Sequence, residues 1–338
     1  MKRIGIVGAG FIAEKHAEGI KQFNNIKLVG ITDIVAKKCK DMASKFGVKP
    51  YSSFAELLSD DTIDIIDICV PSHLHLDFSL QTIRAGKPFL LEKPIAMNSS
   101  DASMIVNSAK EAGIEMMVGQ SLRFKPEYMY AKELITSGAI GEVKQIYTAR
   151  LGQRPSWGEW YADSKKSGGV LFNIMLHDID YLYSLFGDVK RVYAVGTKCD
   201  NGGYEDIMAT LTFSSGQQAI IDGSSMMTPG FPFTMKLRVD GTLGTIEYSF
   251  VGGENTEICR TSELHLYTIS QEPKLIACQK FSNHGKELSY FADCLERGIK
   301  PTLCMPEESV RVIEILESIM RSINKQKVVL SAAPKSLN

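Results

Sequence analysis

The fold of this chain is decided by residues 2–13, which read KRIGIVGAGFIA. The apolar run Ile4–Val7 predicts a short buried strand, and the residues that follow predict a helix from Ile12 to about Phe23. Strand and helix are joined by the pattern Gly8-x-Gly10-x-x-Ala13. The segment therefore predicts a strand, a glycine turn and a helix in immediate succession.

This succession is the fingerprint of a dinucleotide site. The first glycine permits a tight turn, the second lets the backbone approach a pyrophosphate, and the third small residue lets the helix pack on the strand. The amides at the helix start, those of Phe11 and Ile12, and the helix dipole favour the phosphate charge. A second apolar strand, Leu28–Thr32, ends at Asp33, where the fingerprint expects an acid that binds the adenosine ribose. The alternative is an ordinary glycine turn with Asp33 as a helix N-cap, but the agreement of turn, spacing and acid favours the cofactor site.

Composition narrows the class of protein. A length of 338 residues predicts two domains, and a formal net charge of −1 gives no general attraction to nucleic acid or anionic membranes. No apolar run approaches the roughly 18 residues of a membrane span, and the early strand leaves no room for a signal peptide. The seven cysteines are scattered without a CxxC pair, which fits reduced thiols in a cytoplasmic protein and argues against a zinc dehydrogenase.

Strands and helices alternate as far as Gln120, which predicts an N-terminal domain over residues 1–120 with a Rossmann-type, doubly wound parallel sheet. In such a sheet the ligand crevice lies at the carboxyl ends of the strands. Besides the glycine turn, the cofactor-binding residues predicted there are Asp33, Pro71, Ser72, His75, Glu92, Lys93 and Gln120.

The pattern changes over residues 121–338. Strand-like runs between Arg191 and Thr268, separated by hairpin turns, predict a large, mostly antiparallel open sheet. Helices are predicted over Leu171–Phe186 and twice near the end of the chain, and residues 163–169 read as a polar loop. The whole is an α/β protein with a second, α+β domain.

Lys93 is the first candidate for chemistry. It follows a buried strand and precedes a proline, so its ammonium can face a substrate oxygen and take part in proton transfer if the site is dry. A surface lysine in a turn is the alternative.

His177 is the second candidate. Asn173 lies four residues before it on the predicted helix, so the two share a face, and Asp180 adjoins them. An imidazole flanked by an amide and a carboxylate suits proton transfer near neutral pH. A core histidine bonded to a neighbour is the alternative.

Arg123 and Trp157 suit a hydroxylated or anionic substrate, although such residues equally serve in packing and ion pairs. His73-x-His75 lacks further ligands at metal-site spacing, so no metal site is predicted.

The sequence resembles the glucose–fructose oxidoreductase, inositol dehydrogenase and MocA-like (Gfo/Idh/MocA) oxidoreductases over nearly its whole length. The matching motifs are Gly8-x-Gly10-x-x-Ala13, Asp33, Val70-Pro71-Ser72-His73-Leu74-His75, Ala85-Gly86-Lys87-Pro88, Glu92-Lys93-Pro94, Arg123-Phe124-x-Pro126, Ser167-Gly168-Gly169-Val170-Leu171, His177-x-x-Asp180 and Gly187.

The resemblance implies an NAD(P)-dependent oxidoreductase of sugars or cyclic polyols that forms homodimers or homotetramers through its C-terminal sheet. It implies that Lys93 is the catalytic lysine and His177 the acid/base histidine, with Asn173, Arg123 and Trp157 binding substrate. Inositol-dehydrogenase-like members often have aspartate at position 173. Because an amide cannot share the proton load of a histidine, Asn173 leaves that task to Lys93 and His177 and weakens the expectation of an inositol substrate.

The cofactor is expected to be NAD. The Asp33 carboxylate would repel a 2′-phosphate and Ile34 offers it no donor, whereas the nearby Lys37 and Lys38 keep NADP as an alternative. Two other functions occur among similar proteins: a redox-neutral glycoside hydrolase with tightly held NAD, and a non-catalytic dinucleotide-binding regulator. Because the chain keeps Lys93 and His177, the regulator ranks last.

Overall fold

A computed structural model describes residues 1–154, 159–199, 202–253 and 259–331. The chain divides into two compact units. The first comprises Met1–Lys125 and Phe281–Val310, and the second comprises Pro126–Lys280 and residues 311–331. The predicted division at residue 120 lies close to Lys125, but residues 281–310, which the sequence assigned to the C-terminal domain, pack in the first unit.

The helices and strands within Met1–Lys125 are β1 Lys2–Val7, α1 Phe11–Ile20, β2 Ile26–Thr32, α2 Ala36–Phe46, β3 Lys49–Tyr51, α3 Phe54–Leu58, β4 Ile65–Ile68, a 3₁₀ turn Ser72–Leu74, α4 His75–Arg84, β5 Phe89–Glu92, α5 Ser99–Ala112, β6 Met116–Gly119 and a 3₁₀ turn Ser121–Phe124. Those that follow are α6 Pro126–Thr136, β7 Val143–Leu151, α7 Glu159–Ala162, α8 Ser164–Ser167, a π-helical turn Leu171–Met175, α9 Leu176–Phe186, β8 Val189–Lys198, β9 Tyr204–Phe213, β10 Gln218–Ser224, β11 Thr234–Gly241, β12 Gly244–Val251, β13 Thr261–Thr268, β14 Gln271–Ile276, α10 Asn283–Arg297, α11 Pro306–Lys325 and β15 Val329–Leu330. Among the helices so described, none combines the length and the apolar character needed to cross a membrane.

The first unit contains a six-stranded parallel sheet in the order β3-β2-β1-β4-β5-β6. This is the strand order of a doubly wound dinucleotide-binding fold. Every residue of β4, β5 and β6 is buried, as expected for a parallel sheet with both faces covered. The predicted Rossmann-type sheet is confirmed.

Helix α10 completes the core of this unit. Its side chains Leu288, Phe291 and Ala292 are fully buried in the same apolar cluster as β1 and α1. The helices approach closely at two glycines: a Cβ added to Gly285 would lie 2.3 Å from the carbonyl oxygen of Gly19. The pair therefore brings the first turn of α10 against α1, next to the sheet.

The second unit contains a nine-stranded sheet in the order β14-β13-β12-β11-β7-β10-β9-β8-β15 within the described residues. Its neighbours pair antiparallel except β7 and β10, so the predicted mostly antiparallel sheet is confirmed. The predicted polar loop over residues 163–169 contains the short helix α8, because the Asp163 side chain accepts the Lys165 N–H (3.0 Å) and Gly168 ends the turn with φ of 73°. Strand β14 escaped prediction because its residues are exposed on both faces and show no alternation.

Candidate active site

The glycine turn lies between β1 and α1. Gly8 has φ of +102°, and a Cβ there would lie 2.5 Å from the Cys69 carbonyl oxygen, so only glycine fits against the end of β4. Gly10 is the N-cap of α1, and a Cβ built on it meets nothing within 4 Å. The turn thus leaves open space in front of a helix N-terminus, which fits a pyrophosphate.

Asp33 ties the end of β2 to this turn. Its Oδ2 accepts the Ala9 N–H and its Oδ1 accepts the Val35 N–H, each at 2.7 Å. Val35, not Asp33, is the N-cap of α2. Each carboxylate oxygen has a further lone pair, so Asp33 fits the ribose hydroxyls of a dinucleotide. Ile34, directly after it, is fully exposed.

The loop after β4 holds Pro71, Ser72 and His75. Ser72 is buried and begins the 3₁₀ turn. The buried His75 ring places Nδ1 2.6 Å from the Pro94 carbonyl oxygen and Nε2 3.0 Å from that of Val70. Burial lowers the pKa of His75 and so favours the neutral ring, although both carbonyls oppose the shift. The ring joins the loops after β4 and β5, and its direct contact with a cofactor stays a prediction.

Glu92 and Lys93 lie at the carboxyl end of β5. Glu92 is buried. Its Oε2 accepts the Lys93 N–H at 3.0 Å, and its Oε1 lies 3.0 Å from Nε2 of His16. Burial acts to raise the pKa of Glu92, but His16 outweighs it and lowers that pKa below its ordinary value. Glu92 is therefore a carboxylate engaged inside the protein, whereas the Lys93 side chain is partly exposed.

Gln120 follows β6 and is buried. Its Nε2 donates to Ser309 Oγ (3.3 Å), while Oε1 finds no hydrogen-bond partner in the described part of the chain. An unsatisfied buried carbonyl oxygen is costly, and it fits a donor supplied by a ligand, such as the carboxamide of nicotinamide. The Arg123 guanidinium forms an ion pair with Glu308, so its contact with substrate stays a prediction.

The second unit carries Asn173 and His177. Gly168 and Gly169 precede them with positive φ, and a Cβ on Gly169 would lie 2.8 Å from the Tyr204 carbonyl oxygen. The predicted helix Leu171–Phe186 begins with a π-helical turn that holds Asn173 and continues as α9, which holds His177. Both side chains are partly exposed. Such π turns occur often at functional sites.

Helix α9 is anchored to the sheet by an ion pair that the sequence did not reveal. Arg150 of β7 donates from Nε and Nη2 to the two carboxylate oxygens of Asp178, at 2.8 and 3.3 Å. Both side chains are buried. Burial lowers the pKa of Arg150, but Asp178 outweighs burial and raises it. The residue next to His177 is thus fixed to β7. The sequence signal for this ion pair is a basic residue, Arg150, in an otherwise half-apolar strand.

The predicted substrate-binding residue Trp157 lies outside the described residues.

Two family models match the chain. The model of the oxidoreductase family with an NAD-binding Rossmann fold matches residues 2–120, and that of the GFO/IDH/MocA C-terminal domain matches residues 128–247. The chain belongs to the Gfo/Idh/MocA oxidoreductase family. The first unit is accordingly an NAD-binding domain, and the expectations of NAD and of an oxidoreductase are confirmed.

Similar proteins include different activities. The inositol 2-dehydrogenase of Rhizobium meliloti (strain 1021) is 29% identical over 338 residues, or 97% of this chain and 98% of its own length. The 2,7-anhydro-N-acetylneuraminate hydratase of Escherichia coli (strain K12) is 28% identical over 75% of this chain and 71% of its own. Among solved structures, levoglucosan dehydrogenase in complex with NADH has a TM-score of 0.84 at 20% identity, over 98% of this chain and 99% of that one. This last likeness is one of fold.

Proposed function

We propose that this protein is an NAD-dependent dehydrogenase that interconverts a secondary alcohol and a ketone on a sugar or cyclic polyol. The observation that carries the proposal is the partly exposed Lys93 at the carboxyl end of β5, in the same parallel sheet as the glycine turn and Asp33. The carboxyl ends of the strands are where such folds bind their ligands. The inositol 2-dehydrogenase named above supports the substrate class.

Each candidate residue has a separate role in this proposal. Bound NAD supplies the redox chemistry. Lys93 donates a hydrogen bond to the reacting oxygen and stabilises its developing negative charge. His177 accepts the hydroxyl proton during oxidation and returns it during reduction, because an imidazole titrates near neutral pH. Asn173, Arg123 and Trp157 bind the other hydroxyl groups of the substrate.

We also propose that NAD is preferred over NADP. In this fold an acid at the position of Asp33 binds the adenosine ribose, and the exposed side chain after it, that of Ile34, is apolar. A 2′-phosphate would meet a negative charge and no donor there. Lys37 and Lys38, which are exposed on α2, are the nearby cations that a 2′-phosphate could use. Calorimetric dissociation constants for NAD and NADP therefore test the preference.

A screen with NAD over sugars, inositols and sugar acids, followed by NADH absorbance, tests the reaction. Lys93→Met and His177→Ala are each expected to lower kcat by about 100-fold or more, with NAD binding little changed. Lys110→Met, which alters an exposed lysine of α5, is the matched control. Full turnover by both Lys93→Met and His177→Ala would show that these assignments are wrong.

A redox-neutral reaction is the second candidate, because the hydratase of Escherichia coli is about as similar to this chain as the inositol dehydrogenase. The two reactions give different products: a dehydrogenase accumulates NADH in step with substrate loss, whereas a redox-neutral enzyme consumes substrate with no net NADH. Chromatographic measurement of the substrate beside the absorbance measurement separates them.

We further propose a homodimer or homotetramer formed through the nine-stranded sheet. One face of β8, β9 and β10 exposes Tyr193, Val195, Met208 and Ile220, and Val195 pairs with Met208 in the ladder. Such an apolar surface is typical of an interface. Light scattering checks the assembly. We also propose a cytoplasmic location, which the scattered cysteines without a CxxC pair support.

A further inference from the structure

Five buried or mostly buried ionisable side chains of the first unit form what we term the His16 cluster: His16, Asp67, Glu92, His284 and Glu287. His16 is at its centre and is fully buried. Its Nδ1 lies 2.8 Å from Asp67 Oδ2, and its Nε2 lies 3.0 Å from Glu92 Oε1. Since carboxylates only accept hydrogen bonds, an imidazole that donates to both must carry two protons.

The surroundings of His16 agree with a positive ring. Burial acts to lower the pKa of His16, but the adjacent Asp67 carboxylate outweighs burial and raises it well above its ordinary value. Burial raises the pKa of Glu287 well above its usual range, which keeps that carboxyl neutral. Burial and the His16 charge lower the pKa of His284 to about 3. Burial also raises the pKa of the Cys69 thiol, whose Sγ lies 3.8 Å from Nδ1. One imidazolium therefore lies between two carboxylates, with neutral groups around them.

The cluster reaches Lys93 through Glu92. The Glu92 oxygen that does not face His16 accepts the backbone N–H of Lys93 at 3.0 Å. On the other side, a Cβ on Gly119 would lie 3.0 Å from Glu92 Oε1, so the glycine leaves room for the Glu92 carboxylate beside β6. The Glu92 carboxylate thus binds the backbone of Lys93 with one oxygen and the His16 ring with the other.

We propose that His16 is a positioning residue for Lys93. Its imidazolium fixes the Glu92 carboxylate, and that carboxylate fixes the backbone from which the Lys93 ammonium projects. The proposal rests on the proposed function, because it assigns His16 a purpose only if Lys93 acts on substrate. It names no direct contact of His16 with substrate or cofactor.

The same cluster has the composition of a metal site, since one ligand atom from each of His16, Glu92, His284 and Glu287 lies within 4.8 Å of the others. In addition, Glu287 Oε2 has no hydrogen-bond partner among the described residues. A metal would require Nε2 of His16 to be unprotonated. Both ring nitrogens, however, lie at hydrogen-bond distance from carboxylates, and a protonated ring satisfies both without an ion. We therefore interpret His16 as a doubly protonated ring and not as a metal ligand, and the metal content of the purified protein is one of the measurements that test this interpretation.

Amide hydrogen exchange at Lys93 tests the coupling without any substrate. In His16→Gln a neutral amide replaces the imidazolium, so Glu92 loses its fixed partner and the Lys93 amide is expected to exchange faster. Asp67→Asn, which leaves the ring in place, is expected to act in the same direction to a smaller extent. His284→Gln is the matched control: its ring stacks on His16 at 4.9 Å but has no hydrogen bond to Glu92 or Asp67 among those described, and exchange at Lys93 is expected to stay unchanged.

Kinetics provide the second readout. His16→Gln is expected to lower kcat by about 10- to 100-fold, as a small misplacement of a reacting group does, with KM and NAD affinity little changed. Glu92→Gln, whose amide oxygen still accepts the Lys93 N–H, is expected to retain more kcat than Glu92→Ala.

The results separate the two hypotheses. Unchanged exchange at Lys93 in folded His16→Gln and Asp67→Asn overturns the positioning role even if the enzyme is a dehydrogenase. Faster exchange with no NAD-linked turnover on any substrate supports the coupling and refutes the proposed function. A stoichiometric metal in the purified wild-type protein that His16→Gln lacks overturns the proposal in favour of a metal site.

Discussion

Replacing Arg150 by methionine is expected to destabilise the second unit strongly at neutral pH. The guanidinium makes a two-point ion pair with Asp178, and the two side chains are only 6% and 1% exposed. Methionine fills a similar volume, so the main effect is a buried carboxylate left without its partner. Breaking a buried pair in this way costs about 3–5 kcal/mol in the free energy of unfolding.

The cost is expected to depend on pH. In the variant, the buried and unpaired Asp178 carboxylate takes up a proton at a higher pH than it does in the unfolded chain. The folded variant then binds more protons than the unfolded one as the pH falls, which stabilises the folded form. The loss of stability is therefore complete at neutral pH and shrinks by up to about 1.4 kcal/mol per pH unit toward about pH 4.

Urea unfolding followed by tryptophan fluorescence measures this effect, because the chain has two tryptophans, at 157 and 160, and Trp160 belongs to the second unit. Arg238→Met is the matched control: Arg238 lies on β11 with half of its side chain exposed, and it pairs with Asp240 at 3.0 Å. An exposed pair contributes about 0–1 kcal/mol. If Arg150→Met is no more destabilising than Arg238→Met, or equally destabilising at about pH 7 and about pH 5, the reasoning fails.

Three further predictions concern the first unit. Gly8→Ala is expected to cost about 1–3 kcal/mol of stability and to abolish NAD binding, since it forces a side chain into positive φ and against the Cys69 carbonyl oxygen at 2.5 Å; thermal unfolding and calorimetry check both. Asp33→Ala is expected to weaken NAD binding by about tenfold or more, because the ribose loses its acceptor and the glycine turn loses the hydrogen bond from Ala9 N–H. One hydrogen bond to a charged group contributes about 1.5–3 kcal/mol. Equal affinity of variant and wild type in calorimetry would contradict this. Gly285→Ala is expected to cost about 1–3 kcal/mol by forcing α10 away from Gly19, and a urea midpoint equal to that of wild type would refute the close helix contact.

The sheets could be predicted from the sequence because their signals are local. Continuous apolar runs such as Phe89–Leu91 are typical of buried parallel strands, and glycines such as Gly47 and Gly113, which end α2 and α5 with positive φ, are typical of helix ends. The assignment of residues 281–310 is not local. Helix α10 has the same amphipathic pattern whichever unit it covers, so only the structure shows that it packs on α1.

The candidate site likewise has features with a local sequence signal and features that depend on contacts between distant residues. Asp33, Glu92 and Lys93 lie at strand ends, as the alternation of strands and helices predicts. The partners of His16 could not be inferred, because Asp67 and Glu92 are 51 and 76 residues away in the chain. The π-helical turn at Asn173 was also missed, since one added residue per turn changes the apolar spacing too little to be recognised.

The placement of α10 has a consequence for the order in which the protein is made. The first 125 residues leave the ribosome early, yet the helix that covers α1 is encoded after the whole of Pro126–Lys280. At about 5–20 residues per second, the nascent parallel sheet waits on the order of 10–30 s with the apolar side of α1 uncovered. A chaperone that binds apolar surfaces would therefore find its target on the nascent chain in that interval, and the NAD-binding domain finishes folding only after Pro126–Lys280 and α10 have been synthesised.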